Sequence, residues 1–123
     1  MTQVGSNDDT LVNKKCVPCH GGVSALTPDE ATEKLRLLDT SDGGGWQLVE
    51  GGKALKREFK FADFFRAMSF VNAVAHIANV EDHHPDMEFG WGYCRIRYQT
   101  HAIGGLHEND FICAAKIDAL PRR

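Results

Sequence analysis

From Phe61 onward the chain carries an apolar helical period that runs into a fixed stop. Phe61, Phe64, Phe65, Met68, Val71, Ala75 and Ala78 recur at three and four residues, and Phe70, Val74 and Ile77 draw a second apolar line. The run meets Glu81-Asp82-His83-His84-Pro85. A residue that precedes proline is pushed out of the α region, so the helix ends here and leaves two adjacent imidazoles at its C-terminus or just beyond. The negative end of the helix dipole and the carboxylates of Glu81 and Asp82 favour the protonated form there. Histidine, with an ordinary pKa of about 6.5, exchanges protons near neutral pH, which makes the pair a candidate for proton transfer. A helix with two apolar lines also has more apolar surface than a small domain covers, and the expectation is a homodimer or homotetramer.

The elements around this helix are short. Thr27-Pro28-Asp29-Glu30 reads as a helix start, with a threonine N-cap, proline at the first position and acidic residues in the first turn, and the helix extends to about Leu38. Trp46–Val49 and Ala54–Phe59 flank Glu50-Gly51-Gly52-Lys53 as a β-hairpin, with Leu55, Arg57 and Phe59 on one face. Met87-Glu88-Phe89 begins a third strand, Gly90-Trp91-Gly92 supplies a turn, and Tyr93–His101 reads as a fourth. There Cys94, Ile96, Tyr98 and Thr100 suit a core, while Arg95, Arg97, Gln99 and His101 suit an open face. A last helix is predicted from about Asn109 to Leu120, with Phe111, Ile112, Ala115 and Leu120 buried and Asp110 in its first turn.

With 123 residues and a formal charge of −3, the chain fits one domain and lacks a basic stripe for binding nucleic acid. No apolar run approaches membrane-spanning length, and Met1–Asp9 has neither a basic region nor an apolar one of the signal-peptide kind. The expectation is a cytoplasmic protein with reduced thiols at Cys16, Cys19, Cys94 and Cys113. Cys16-Val17-Pro18-Cys19-His20 has the pattern of c-type haem attachment, which needs an oxidising compartment; a zinc site would have to recruit Cys94, Cys113 or a distant histidine. The plain reading is a surface arm with two thiols. The expected organisation is this arm over residues 1–25 and one domain over 26–123.

Three chemistries compete for the histidines. A metal could use His83, His84 and His101 with Asp110, but adjacent histidines point in different directions. Nucleophilic catalysis lacks a Gly-x-Ser-x-Gly elbow or an activated thiol. General acid/base catalysis needs only several imidazoles around one substrate, with no metal and no cofactor.

The order of residues adds to this. His83-His84-Pro85, then Tyr98-Gln99-Thr100-His101, Gly104-Gly105-Leu106 and Asn109-Asp110-Phe111, with Ala114-Ala115-Lys116-Ile117-Asp118, resembles the pterin-4a-carbinolamine dehydratases, from roughly Trp46 to Leu120. The Cys-x-x-Cys arm resembles the start of bacterial members. The resemblance implies an α+β fold, a four-stranded antiparallel sheet with helices packed on one face and a short N-terminal arm, assembled into dimers or tetramers. It implies dehydration of 4a-hydroxytetrahydrobiopterin, which recycles the pterin cofactor of aromatic amino-acid hydroxylases, with such a hydroxylase as a possible partner. Carried over residue by residue, His83, His84 and His101 surround the pterin and Asp110 is the acidic group. His84 and His101 take the acid and base roles, His83 binds or exchanges protons, Asp110 orients His101, and Pro85 and Thr100 join His83 in substrate binding. Some relatives serve as interaction partners, so a non-catalytic assembly protein on the same fold is the alternative. One position departs: many relatives carry an ionisable residue four places before the first histidine of the pair, where this chain has Asn79.

Overall fold

The aromatic run that opens the long helix also ties it to the sheet. In a computed structural model of the chain, residues 10–18, 21–38 and 45–121 are described; Cys19 of the arm motif lies outside them. Helix α1 spans Pro28–Leu35, α2 Phe64–Glu81 and α3 Glu108–Asp118, and the strands are β1 Gln47–Val49, β2 Ala54–Lys60, β3 Asp86–Gly90 and β4 Tyr93–Tyr98. The strands form one antiparallel sheet in the order β1-β2-β4-β3. This is the expected α+β architecture.

Local chemistry explains the elements. The Thr27 hydroxyl accepts from the Glu30 N–H at 3.1 Å while the Glu30 carboxylate accepts from the Thr27 N–H at 2.8 Å, a reciprocal cap that starts α1 where the sequence placed it. That helix stops at Leu35, three residues short of the expected end. Asp63 caps α2 by accepting from the Arg66 N–H at 2.9 Å. The β1–β2 hairpin turns through Glu50–Gly52, where Gly51 and Gly52 take φ of 69° and 88°, a region open to glycine.

The inner face of the sheet is built from Leu55, Arg57, Phe59, Cys94, Ile96 and Tyr98, all buried. Phe70 of α2 lies 4.7 Å from the Phe59 ring and 5.1 Å from that of Phe61, so the helix and β2 share an aromatic stack. Arg57, which interrupts the apolar alternation of β2, sits over the Phe59 ring and donates to Asp118 of α3 at 2.9 Å. The Trp46 indole N–H donates to the same carboxylate oxygen at 2.9 Å. The outer face carries exposed or half-buried charge, with Arg95 donating to Glu58 and Arg97 to Glu50, each at 3.1 Å.

Three expectations shift. On α2 the buried residues, Ala67, Phe70, Val71, Val74 and Ala78, draw on both expected lines, whereas Phe64 and Phe65 are exposed, Phe65 by 77%. Strand β4 ends at Tyr98 rather than His101: Thr100 forms an isolated bridge to Gly105, and His101–Ile103 turn as a short 3-10 segment between them. On α3 the core side is wider than predicted, with Cys113, Ala114 and Ile117 buried beside Phe111 and Ile112, and Ala115 and Leu120 half-buried. The segment 10–18 packs on α3, where Leu11 is buried, Lys14 pairs with Glu108 at 2.8 Å and Lys116 donates to the Val12 carbonyl at 2.7 Å.

The Arg57–Asp118 pair is nearly dry, with side-chain exposures of 2% and 8%. Removing one partner strands the other charge in the core, and Arg57→Ala is expected to cost about 3–5 kcal/mol in urea unfolding. A loss below about 1 kcal/mol, the range of surface pairs, would show that the pair is not buried in solution.

Candidate active site

The site is assembled where α2 stops. Asp82 takes the left-handed conformation, φ 52° and ψ 44°, its N–H reaching the Asn79 carbonyl at 3.3 Å and the His83 N–H reaching the Ala78 carbonyl at 3.0 Å. These paired bonds are a Schellman-type helix end built on aspartate where glycine is usual. The reversal sends the two imidazoles different ways. His83 turns inward, its ring stacked on Tyr98 at 5.4 Å and 4° between planes, with 12% of its side chain exposed. His84 stays exposed, its Nε2 3.2 Å from the Asn79 carboxamide oxygen.

Behind His83 lies Asp110, fully buried in the first turn of α3. Its carboxylate accepts three hydrogen bonds: from His83 Nε2 at 2.6 Å, from the Thr100 hydroxyl at 2.7 Å and from the His107 N–H at 3.0 Å. With Thr100 and the backbone donating, the carboxylate remains the acceptor and His83 Nε2 carries a proton towards it. Burial alone lowers the basicity of His83, but the hydrogen bond and charge of Asp110 outweigh it and raise the pKa above the ordinary imidazole value. The expectation gave Asp110 to His101; the structure gives it to His83. Thr100, half of the Thr100–Gly105 bridge, is what ties the end of β4 to this carboxylate.

His101 is reached from the other side. The 3-10 turn that carries it closes on Gly104 at φ 65°, and this turn presents the histidine to solvent. His83, His84, Thr100 and His101 line one open cleft of about 440 Å3, together with Val17 and Pro18 of the N-terminal segment and Asn109. Asp110 stands behind the wall, and Pro85 is half-buried and not among the lining residues. The three imidazoles assigned from sequence thus share a cavity.

Sequence reasoning gave no site role to Tyr98, read as a core residue, or to Asn109. The Asn109 carboxamide grips the backbone of Val17 at both ends, its oxygen accepting from the Val17 N–H at 3.1 Å and its Nδ2 donating to the Val17 carbonyl at 2.6 Å. Cys16 is held alongside, its N–H donating to the buried carboxylate of Glu81 at 2.9 Å. An asparagine at a helix start reads as a routine capping residue, so no signal distinguished it. Among the described residues no cluster of three or more His, Cys, Asp or Glu is arranged to hold a metal ion.

The family described as Pterin 4 alpha carbinolamine dehydratase matches residues 24–120. A protein of Nitrosospira multiformis, provisionally named a pterin-4-alpha-carbinolamine dehydratase, is 50% identical over 91% of this chain and 93% of its own. One of Legionella pneumophila with the same provisional name is 47% identical over 89% and 94%. Among solved structures, a transcriptional coactivator/pterin dehydratase from Brucella melitensis superposes with a TM-score of 0.70 at 38% identity, over 78% of this chain and 97% of that one. A pterin dehydratase-like protein identified as a RuBisCO assembly factor in the alpha-carboxysome gives 0.54 at 25% identity, over 60% and 86%.

The raised pKa of His83 has a testable sign. It stabilises the fold fully below the unfolded value of about 6.5, and this contribution is lost as pH rises through the folded value. Asp110→Asn is expected to lower the His83 pKa in an NMR titration and to destabilise the protein by about 1–3 kcal/mol, more at about pH 6 than at about pH 9. An unchanged His83 titration in the variant would contradict the assignment.

Proposed function

The chain belongs to the pterin 4 alpha carbinolamine dehydratase family, and on that premise we propose that it removes water from 4a-hydroxytetrahydropterins by histidine acid/base catalysis. The observation that carries this reading is the convergence of His83, His84 and His101 on one cleft. Its volume of about 440 Å3 falls in the range of small-molecule sites.

The reaction dictates what the cleft must supply. Hydroxide leaves poorly, so the 4a-oxygen must gain a proton as its bond to C4a breaks, and the N5 proton must depart to give the quinonoid dihydropterin and water. One acid and one base suffice, each typically contributing about 10²–10⁴ in rate. His84 and His101, the two exposed imidazoles, take these roles. His83 stands at the cleft wall, held by Asp110, which raises its pKa, and there it binds the pterin and exchanges protons. Thr100 holds Asp110 in place, so its part in binding is indirect. A hydroxylase that generates the carbinolamine is the natural supplier of substrate.

A second reading draws on the assembly factor to which the chain is similar, and on the exposed Phe64 and Phe65 of α2. This apolar line suits self-association into a homodimer or homotetramer. An assembly role would use the fold without the imidazoles, whereas the enzyme needs them.

Purified protein is expected to accelerate dehydration of synthetic 4a-hydroxytetrahydropterin, and His84→Ala and His101→Ala each to lose about 10²-fold or more while retaining the circular dichroism of the parent. Full activity in both variants would sink the assignment, and no acceleration by the parent would favour the assembly reading. Size-exclusion with light scattering is expected to show an oligomer that Phe65→Glu weakens; a monomer at micromolar concentration would contradict it.

A further inference from the structure

We propose that Cys16 and Cys113 form a reversible dithiol–disulfide site, oxidised by hydrogen peroxide, that bolts the N-terminal segment to α3 beside the histidine cleft. The two residues are 97 apart in sequence, yet their sulfurs lie 3.6 Å apart. A disulfide needs about 2.05 Å, so closure asks the segment to advance by about 1.5 Å. The approach is imposed by contacts independent of the thiols. Glu81 holds the Cys16 N–H and Asn109 clamps Val17, the next residue, at both backbone groups. Cys113 is fully buried on α3, while Cys16 is half-buried and gives a small oxidant its access.

The chemistry of the pair suits the step. The hydrogen bond from Cys16, outweighing burial and helped by the Tyr98 hydroxyl and the His83 imidazole, pulls Cys113 below the ordinary thiol range. The same bond, together with burial, pushes Cys16 up. Of the two hydrogen-bonded thiols, Cys113 is the more acidic. The Cys16 sulfur, giving up its thiol proton, attacks one peroxide oxygen; the O–O bond breaks, and the departing hydroxide takes that proton and leaves as water. The Cys113 thiolate then attacks the sulfur of the Cys16 sulfenic acid; the S–S bond forms, the S–O bond breaks, and hydroxide leaves and is protonated by solvent. The two sulfurs together lose two electrons, which peroxide gains. A thiol reductant reverses the change.

The position gives the bond its consequence. Val17 and Pro18 line the same cleft as the three histidines. The Cys113 sulfur lies 4.0 Å from the His83 carbonyl, at the helix end that aims both imidazoles. Oxidation fixes that wall in a displaced position. This effect on catalysis rests on the dehydratase reading; the disulfide does not.

The test uses the full chain, reduced and then treated with hydrogen peroxide. Thiol alkylation, intact mass and peptide mapping should show a loss of about two mass units and one Cys16–Cys113 crosslinked peptide, reversed by dithiothreitol. The crosslink should persist in Cys19→Ser and vanish in Cys16→Ser. A Cys16–Cys19 bond, a crosslink between chains, or oxidation that stops at the sulfinic acid would each overturn the proposal. In the dehydration assay the oxidised protein should lose about tenfold to a hundredfold in kcat/KM and regain it on reduction, the upper figure being what an ångström-scale misplacement can cost. An intact crosslink with unchanged kcat/KM would remove the catalytic consequence alone, and the mass readout stands whether or not the protein proves to be a dehydratase.

Discussion

Three parts of the chain depend on one buried carboxylate. Asp110 receives a proton-bearing nitrogen from the end of α2, a hydroxyl from the end of β4 and a backbone N–H from the start of its own helix. An ionised carboxylate without partners could not be kept in a dry interior, and each of the three bonds offsets part of that cost. The cost in turn fixes geometry, because losing any donor leaves the charge poorly satisfied. Helix end, strand end and helix start are therefore held in register by a single group, and the cleft between them inherits that rigidity.

The same economy shapes the core beneath. Asp118, two turns further along α3, collects the Arg57 guanidinium and the Trp46 indole as Asp110 collects its three donors. Helix α3 thus reaches β2 through Asp118 and the segments that flank β3 and β4 through Asp110, with Phe111, Ile117 and Cys113 buried between. Apolar packing alone would leave the helix free to slide along the sheet. Two directional anchors remove that freedom and set where the N-terminus of α3 faces the histidines.

How much of this could be read in advance follows from what each signal measures. Helical and strand periods report which residues share a face, so the elements, the hairpin and the inner face of β4 were legible. Periodicity does not say which part of two apolar lines is covered, and on α2 the core takes Val71 and Ala78 of one line with Phe70 and Val74 of the other, leaving Phe64 and Phe65 exposed. Arg57 looked like a flaw in β2 because its partner lies 61 residues away. Proline predicted that the helix stops at the histidine pair, but the left-handed Asp82 that separates their directions depends on backbone bonds within the turn. The pairing of Asp110 with His83 rather than His101 required knowing that reversal.

That reversal also bears on Asn79, the neighbour of His84. A carboxylate there would give His84 an ionic partner comparable to the one Asp110 provides for His83. The carboxamide oxygen, 3.2 Å from His84 Nε2, accepts a hydrogen bond without contributing a full charge. The two adjacent imidazoles are therefore distinguished by their partners: one is tied to a buried anion, the other to a neutral group at the surface. In the proposed dehydration this contrast divides the labour. A histidine bound to a buried carboxylate is held in place, whereas one beside a neutral amide at the surface stays open to the cleft. Asparagine at position 79 thus keeps distinct two neighbours that the sequence presents as a matched pair.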